Sequence, residues 1–225
     1  MGADLDEKLK IGSGIYTMSE IAKILRLSYH TVYRWMKDYW EKYFGSLYDE
    51  KYSWVIDGSR AFNFHGFIEF YIMMQLAEAG VPPSQILKAH AELCELYQFE
   101  FPFALREVLE KIHTDGKKIY IKTDKTIISL DGTRQFNLHF VEMFFKNLDF
   151  NKDAVASRFW PLGKDKSILM DPKRKFGHPL IGSNNIYPET IYEHYLAGDP
   201  VPYLTQIFDL FEKQVRDAIQ YCEAA

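Results

Sequence analysis

Cysteine is scarce in this chain: its 225 residues hold two, Cys94 and Cys222, far apart and without a second Cys or His at ligand spacing. That pattern argues against a disulfide framework and a zinc site, and buried thiols are the expected state. No uninterrupted apolar run approaches the roughly 20 residues that span a bilayer. The opening MGADLDEKLK is polar and lacks the apolar centre of a signal peptide. A cytoplasmic protein with no membrane partner is therefore expected. Positive charge is not in excess either. Lys and Arg total 27 against 31 Asp and Glu, a net charge of −4, which excludes a polybasic protein that coats nucleic acid by charge alone. The patterns of catalysis are missing too, with no Gly-rich phosphate loop, nucleophile elbow or His/Asp/Glu cluster at metal spacing. His90, near Glu92 and Cys94, and His194, beside Glu193, read as satisfied helix-surface residues, not ligands. No enzyme, cofactor or metal is expected.

Apolar material, by contrast, is plentiful. Hydrophobic residues make up 47% and aromatics 16%, which excludes a mainly disordered chain. After a polar leader at 1–12, residues 16–43 show two helical periodicities broken at Arg26, Leu27 and Ser28, the signature of a helix-turn-helix. Thr17 or Ser19 is placed to cap the first helix, whose inner stripe is Ile21, Ala22 and Leu25; Leu27 plugs the turn and Ser28 caps the second. Val32, Trp35 and Met36 then share one buried face. The opposite face offers Tyr29, His30, Thr31, Tyr33, Arg34 and Lys37 near a helix N-terminus, where recognition helices meet base edges and phosphates. Five bases (Lys23, Arg26, Arg34, Lys37, Lys42) stand against three acids (Glu20, Asp38, Glu41) in this stretch, a weak positive balance.

The next segment, YSWVIDGSRAFNF, has two short aromatic and β-branched runs around Asp57-Gly58, which predicts a tight hairpin. A hairpin after two helices is a wing, and Arg60 would reach from it to a phosphate or a minor groove. The order of helix, turn, helix and wing resembles the winged helix-turn-helix of the MerR and excisionase class, and residues 16–22, YTMSEIA, look like that class's opening.

Residues 64–79 read as a helix that ends at Gly80, and Val81-Pro82-Pro83-Ser84 starts a second that runs through about Tyr97. Seven acids against three bases over 66–112 turn this part away from a phosphate backbone. Its stripe of Phe67, Phe70, Tyr71 and Met74 suits a core, a dimer face or the lining of a ligand pocket. Residues 117–130 predict a second hairpin, whose four lysines read either as edge protection or as a nucleic-acid surface. A Phe-rich helix is expected over 135–147. Residues 156–179 form a basic stretch with six bases against two acids, punctuated by Pro and Gly. Helices are then expected over 188–197, 202–208 and 211–223, in a tail where seven acids outnumber two bases.

The segment FGHPLIGSNNIYPETIYEHYLAGDPVPYLTQIFDLFEKQVRDAIQYCEA resembles the C-terminal module of a bacterial antitoxin family, a domain of unknown function. Phe176-Gly177 with Pro179, Leu180, Ile181, Ile186, Ala197-Gly198-Asp199, Phe208 and Val215 to Tyr221 carry the resemblance. With the N-terminal helix-turn-helix it is the layout of the longer VapB-type antitoxins of type II toxin-antitoxin systems. Where that family has Gly-Thr-Arg this chain has Ser183-Asn184-Asn185, so the role of that arginine is absent. Asn tolerates a left-handed backbone, so the turn is expected to persist.

The fold expected is mainly α with small β-hairpins: a leader at 1–12, a winged helix-turn-helix at 13–65, central helices and a hairpin at 66–155, and a basic linker with a trihelical unit at 156–225. The resemblance implies repression of the chain's own operon through a double-stranded operator, and neutralisation of a PIN-like ribonuclease toxin. A site of that kind is built around metal-holding carboxylates, so Lys173, Arg174, Lys175 and Arg216 are the candidates to meet it. One weakly basic head binds poorly, which predicts a homodimer with heads about 34 Å apart. The alternatives are a MerR-like small-molecule-responsive regulator and a protein-interaction module without DNA binding.

Overall fold

The structure is a computed structural model, and it describes residues 13–41, 53–56, 59–114, 119–122, 127–129 and 144–224. The leader, Asp57-Gly58, Lys42 and most of the helix expected over 135–147 lie outside those residues.

The head begins with β1 (Tyr16–Thr17) and α1 (Met18–Leu25). Thr17, not Ser19, is the cap. Its hydroxyl accepts from the Glu20 N–H at 3.3 Å, and the Glu20 carboxylate accepts from the Thr17 N–H at 2.7 Å, a reciprocal capping box. Ile21, Ala22 and Ile24 are buried, while Leu25, expected in that stripe, is half-buried beside them. The core wraps further round α1 than one stripe. Arg26 ends the helix in the left-handed region at φ 58°, and Leu27 closes the turn through its N–H to the Ala22 carbonyl. Ser28 then caps α2 (Tyr29–Arg34), accepting from the Thr31 N–H at 3.0 Å. The helix runs on as a π-helical segment, Trp35–Glu41. Strands β2 (Ser53–Ile56) and β3 (Ser59–Phe62) pair antiparallel with Ile56 opposite Ser59, so the two strands expected of the wing are paired. β1 adds to its other edge, giving the order β1-β3-β2.

α3 (Phe64–Glu78), capped by Asn63, is apolar on every side, and Phe64, Phe67, Phe70, Ile72, Met73 and Leu76 are all fully buried. Such a helix belongs in the middle of a fold. α4 (Pro83–Tyr97) packs on it after the left-handed Gly80, with Pro83 at its first turn. A 3-10 turn (Pro102–Ala104) leads to α5 (Arg106–Lys111) and to β4 (Ile112–Thr114), β5 (Ile119–Lys122) and β6 (Ile127–Ser129), an antiparallel meander where a hairpin was expected. β7 (Leu148–Phe150) pairs with β8 (Ala156–Phe159), and β9 (Ile168–Leu169) with β10 (Leu180–Ile181). The chain closes with α6 (Pro188–Leu196), α7 (Val201–Phe208) and α8 (Glu212–Glu223), within a residue of the expected helices at each end. The architecture is mainly α with small antiparallel strand pairs.

Among the described residues, two apolar cores hold these elements. One joins α1, the buried face of α2, β3, α3, α4, α5 and β7–β8; the other, built on Ile168, Ile181, Ile191, Leu204 and Val215, belongs to the C-terminal helices. Head and C-terminal module are stitched directly together. The Ile15 N–H donates to the Phe176 carbonyl and the Tyr16 hydroxyl to the Gly177 carbonyl, both at 3.0 Å, and Lys23 pairs with Glu189 at 2.7 Å.

Candidate nucleic-acid interface

The second helix of the head is fixed from below. Val32, Trp35 and Met36 are buried in the main core, with Trp35 edge-on to Phe70 of α3. That anchorage turns Tyr29, His30, Tyr33, Arg34 and Lys37 outward, and all five are exposed. Tyr29, Tyr33 and Lys37 line up at intervals of four. The two rings stack at 6.1 Å, and the Lys37 ammonium donates to the Tyr33 hydroxyl at 2.8 Å and lies 5.3 Å from its ring centroid. The result is an ordered aromatic and cationic ridge beside a capped helix N-terminus, a surface suited to phosphate and base contacts. Thr31 differs from its neighbours. It is half-buried and its hydroxyl shares a hydrogen bond with Ser28 at 2.7 Å, so it serves the cap. Arg60 lies on β3 opposite Val55, half-buried, on the wing and not on the α2 ridge.

Lys23, counted among the bases of the head, is committed to Glu189 of the acidic tail, and Glu20 faces His178 at 3.4 Å. Neither contact was legible locally, because the partners lie more than 150 residues away.

The residues expected to meet a protein partner do not form a comparable ridge. Lys173 and Lys175 are exposed in the linker, whereas Arg216 pairs with Glu212 on α8 at 2.6 Å. Arg174 is turned into its own chain, donating to the Gly182 carbonyl at 2.9 Å, the Asn184 carbonyl and the Asn185 side chain. The Ser183-Asn184-Asn185 loop therefore holds a guanidinium after all, from eight to eleven residues upstream. Its left-handed residue is Gly182, at φ 54°, and not an asparagine.

Of the two histidines expected on helix surfaces, His194 is exposed and pairs with Asp199 at 2.8 Å, as a satisfied surface residue should. His90 is not on the surface. It is 1% exposed and faces the buried Glu69 carboxylate at 2.9 Å, with Cys94 Sγ 3.6 Å from its other ring nitrogen. The alternation of charge along α4 gave no sign that this position points at α3. The stripe Phe67, Phe70, Tyr71 and Met74 is buried, with Phe67 and Phe70 fully enclosed and Tyr71 and Met74 at the edge of the core.

Comparison with known proteins gives the class of the head and then a fold relative. Residues 15–43 match the homeodomain-like domain family, and residues 168–222 match a family described as a protein of unknown function, DUF433. The chain thus carries a homeodomain-like helix-turn-helix, a fold of DNA-binding regulators, ahead of a domain without assigned function. Over most of its length it is similar to the crystal structure of Rv2018 from Mycobacterium tuberculosis, with a TM-score of 0.65, 18% identity, and 91% of this chain and 96% of that chain covered. At that identity the likeness is one of fold. No curated protein matches the sequence. Among the described residues, no helix is long and apolar enough to cross a membrane.

Proposed function

We propose that this protein is a non-catalytic, antitoxin-like DNA-binding regulator that represses its own operon as a homodimer. The observation that carries the reading is the two-sidedness of the second head helix: Val32, Trp35 and Met36 buried, with Tyr29, His30, Tyr33, Arg34 and Lys37 exposed opposite them. A basic, aromatic ridge at a capped helix start is what a major-groove reader needs, and Arg60 on the wing supplies a second contact point. The head is only weakly basic, and Lys23 is held by Glu189, so affinity depends on pairing two heads across half-sites.

A gel-shift titration with the fragment upstream of its own gene tests this. Arg34→Ala and Lys37→Ala are each expected to weaken binding and to lower the salt slope by about one for every phosphate left unneutralised. Unchanged affinity and slope in both variants would overturn the assignment.

The second part of the proposal, neutralisation of a PIN-like ribonuclease toxin by the C-terminal module, rests on that module's resemblance to antitoxins. Lys173 and Lys175 are the exposed cations it has to offer, Arg174 and Arg216 being engaged within the chain. Co-purification with the product of the adjacent gene tests it, and a gene with no nuclease neighbour counts against it.

A further inference from the structure

A cleft runs between the turn of the helix-turn-helix, α3 and the C-terminal module. Its wider part is a shallow depression of about 420 Å³ open to solvent, its narrower part holds about 200 Å³, and Arg26, Tyr71, Gln75, Asn147 and Pro161 line both. The wider part has the size of an ordinary small-molecule site.

The chemistry of the two parts differs. Ile24, Met74 and Phe159 help wall the narrow part, with Glu78 the sole carboxylate there. The wide part is lined by three cationic side chains, Arg26, Lys146 and Lys166, and by no carboxylate. Lys166 is engaged with Asp217 at 3.4 Å and Gln220 at 2.9 Å. Arg26 and Lys146 are exposed and make no ion pair among the described residues. Arg26 is held at φ 58° as the residue that ends α1, so the backbone itself fixes where its side chain departs. Like charges gathered on a concave wall leave a positive potential that an anion relieves.

Tyr71 joins the two parts. It is 7% exposed, its ring packs edge-on against Phe159 at 4.8 Å, and its hydroxyl has no hydrogen-bond partner among the described residues although it lines both parts of the cleft. Burial, with Glu78 nearby, raises its pKa well above the ordinary value, so it remains a donor at neutral pH. A phenol hydroxyl open to the cleft exchanges a hydrogen bond with water for one to an incoming acceptor.

We infer that this cleft binds a small organic anion, a carboxylate or phosphate monoester with a flat apolar body. The body lies in the narrow part against Met74 and Phe159, the anionic end meets Arg26 and Lys146, and Tyr71 donates to it. Because the cleft touches the head turn on one side and the C-terminal module on the other, a bound ligand biases how the head is held and alters DNA affinity. None of the residues assigned to DNA lines it, so the site stands apart from the DNA reading.

The test is calorimetry on the full chain without DNA, using adenosine 5′-monophosphate and benzoate as probes for the two anion types and inorganic phosphate as a headgroup without a body. One of the two organic anions is expected to bind with submillimolar affinity and to outbind inorganic phosphate. The double variant Arg26→Asn/Lys146→Ala, in which Asn tolerates the left-handed backbone, is expected to weaken binding about tenfold or more. Tyr71→Phe is expected to weaken it about threefold to tenfold, as the loss of one neutral hydrogen bond does. Lys152→Ala, exposed and outside the cleft, serves as the control, and circular dichroism confirms that each variant is folded. Failure of both organic anions to bind the wild type, or equal binding by the folded double variant, overturns the site. A gel shift that is unmoved by saturating ligand overturns the coupling to DNA.

Discussion

Glu69 and His90 face each other across α3 and α4 with almost no access to water, their oxygen and nitrogen 2.9 Å apart. The other carboxylate oxygen accepts from the Ala104 N–H at 3.2 Å, so this one side chain ties two helices to the 3-10 turn. Burial pushes the Glu69 carboxyl upward against the opposing effect of His90. For His90, burial disfavours the charged ring, but Glu69 and Cys94 outweigh it and hold the pKa up to about 9. Both groups bind their protons more tightly in the folded chain than in the unfolded one. The contribution of His90 is complete below its ordinary value of 6.5 and is lost as pH rises through about 9. The melting temperature is therefore expected to fall as pH is raised across that window. Glu69→Gln removes the charged partner, costs roughly 3 kcal/mol at pH 6.5, and flattens the dependence. A wild-type melting temperature that is constant between these pH values contradicts the assignment of charge.

The helices were legible where the chain announces their ends. α1 and α2 carry Thr17 and Ser28 before an apolar periodicity, and α6 and α7 open with Pro at their first turn. β2 and β3 were readable from Asp57-Gly58 between two β-branched runs. β1 and β4 were not, since strands of two and three residues have no periodicity and exist only because Phe62 or Ile121 lies opposite. The exposed ridge of α2 followed from the spacing of Val32, Trp35 and Met36. The cleft and the Lys23–Glu189 pair did not, because each joins segments far apart in the chain, and the docking of Arg174 did not, because it depends on a loop folding back on a residue eight to eleven positions earlier with no periodic pattern to announce it. The first helix offers a direct check on capping. Thr17→Ala is expected to cost about 1 kcal/mol in chemical unfolding, while Ser19→Ala, at an exposed position that caps nothing, is expected to be close to neutral. Equal effects would mean that the capping box does not form.

At the scale of the whole molecule, the head and the C-terminal module have separate apolar cores but share a backbone seam. Gly177 sits at its centre with φ 87°, and a Cβ there would lie 2.0 Å from the hydroxyl of the fully buried Tyr16. The ring cannot retreat without giving up its hydrogen bond to the Gly177 carbonyl. Gly177→Ala is expected to destabilise the protein by more than about 1 kcal/mol in urea unfolding, through the strained backbone and the clash together. It is also expected to weaken the gel shift, since β1 and α1 are braced by that seam. Wild-type stability would mean that the seam is not closed in solution. The contact between Tyr16 and Gly177 spans 161 residues. On a ribosome adding roughly 5–20 residues per second, that separation is about 8 to 32 seconds of synthesis. The N-terminal helices therefore wait that long after their own synthesis for the brace that Gly177 gives to Tyr16, and an unfinished chain carries them unbraced.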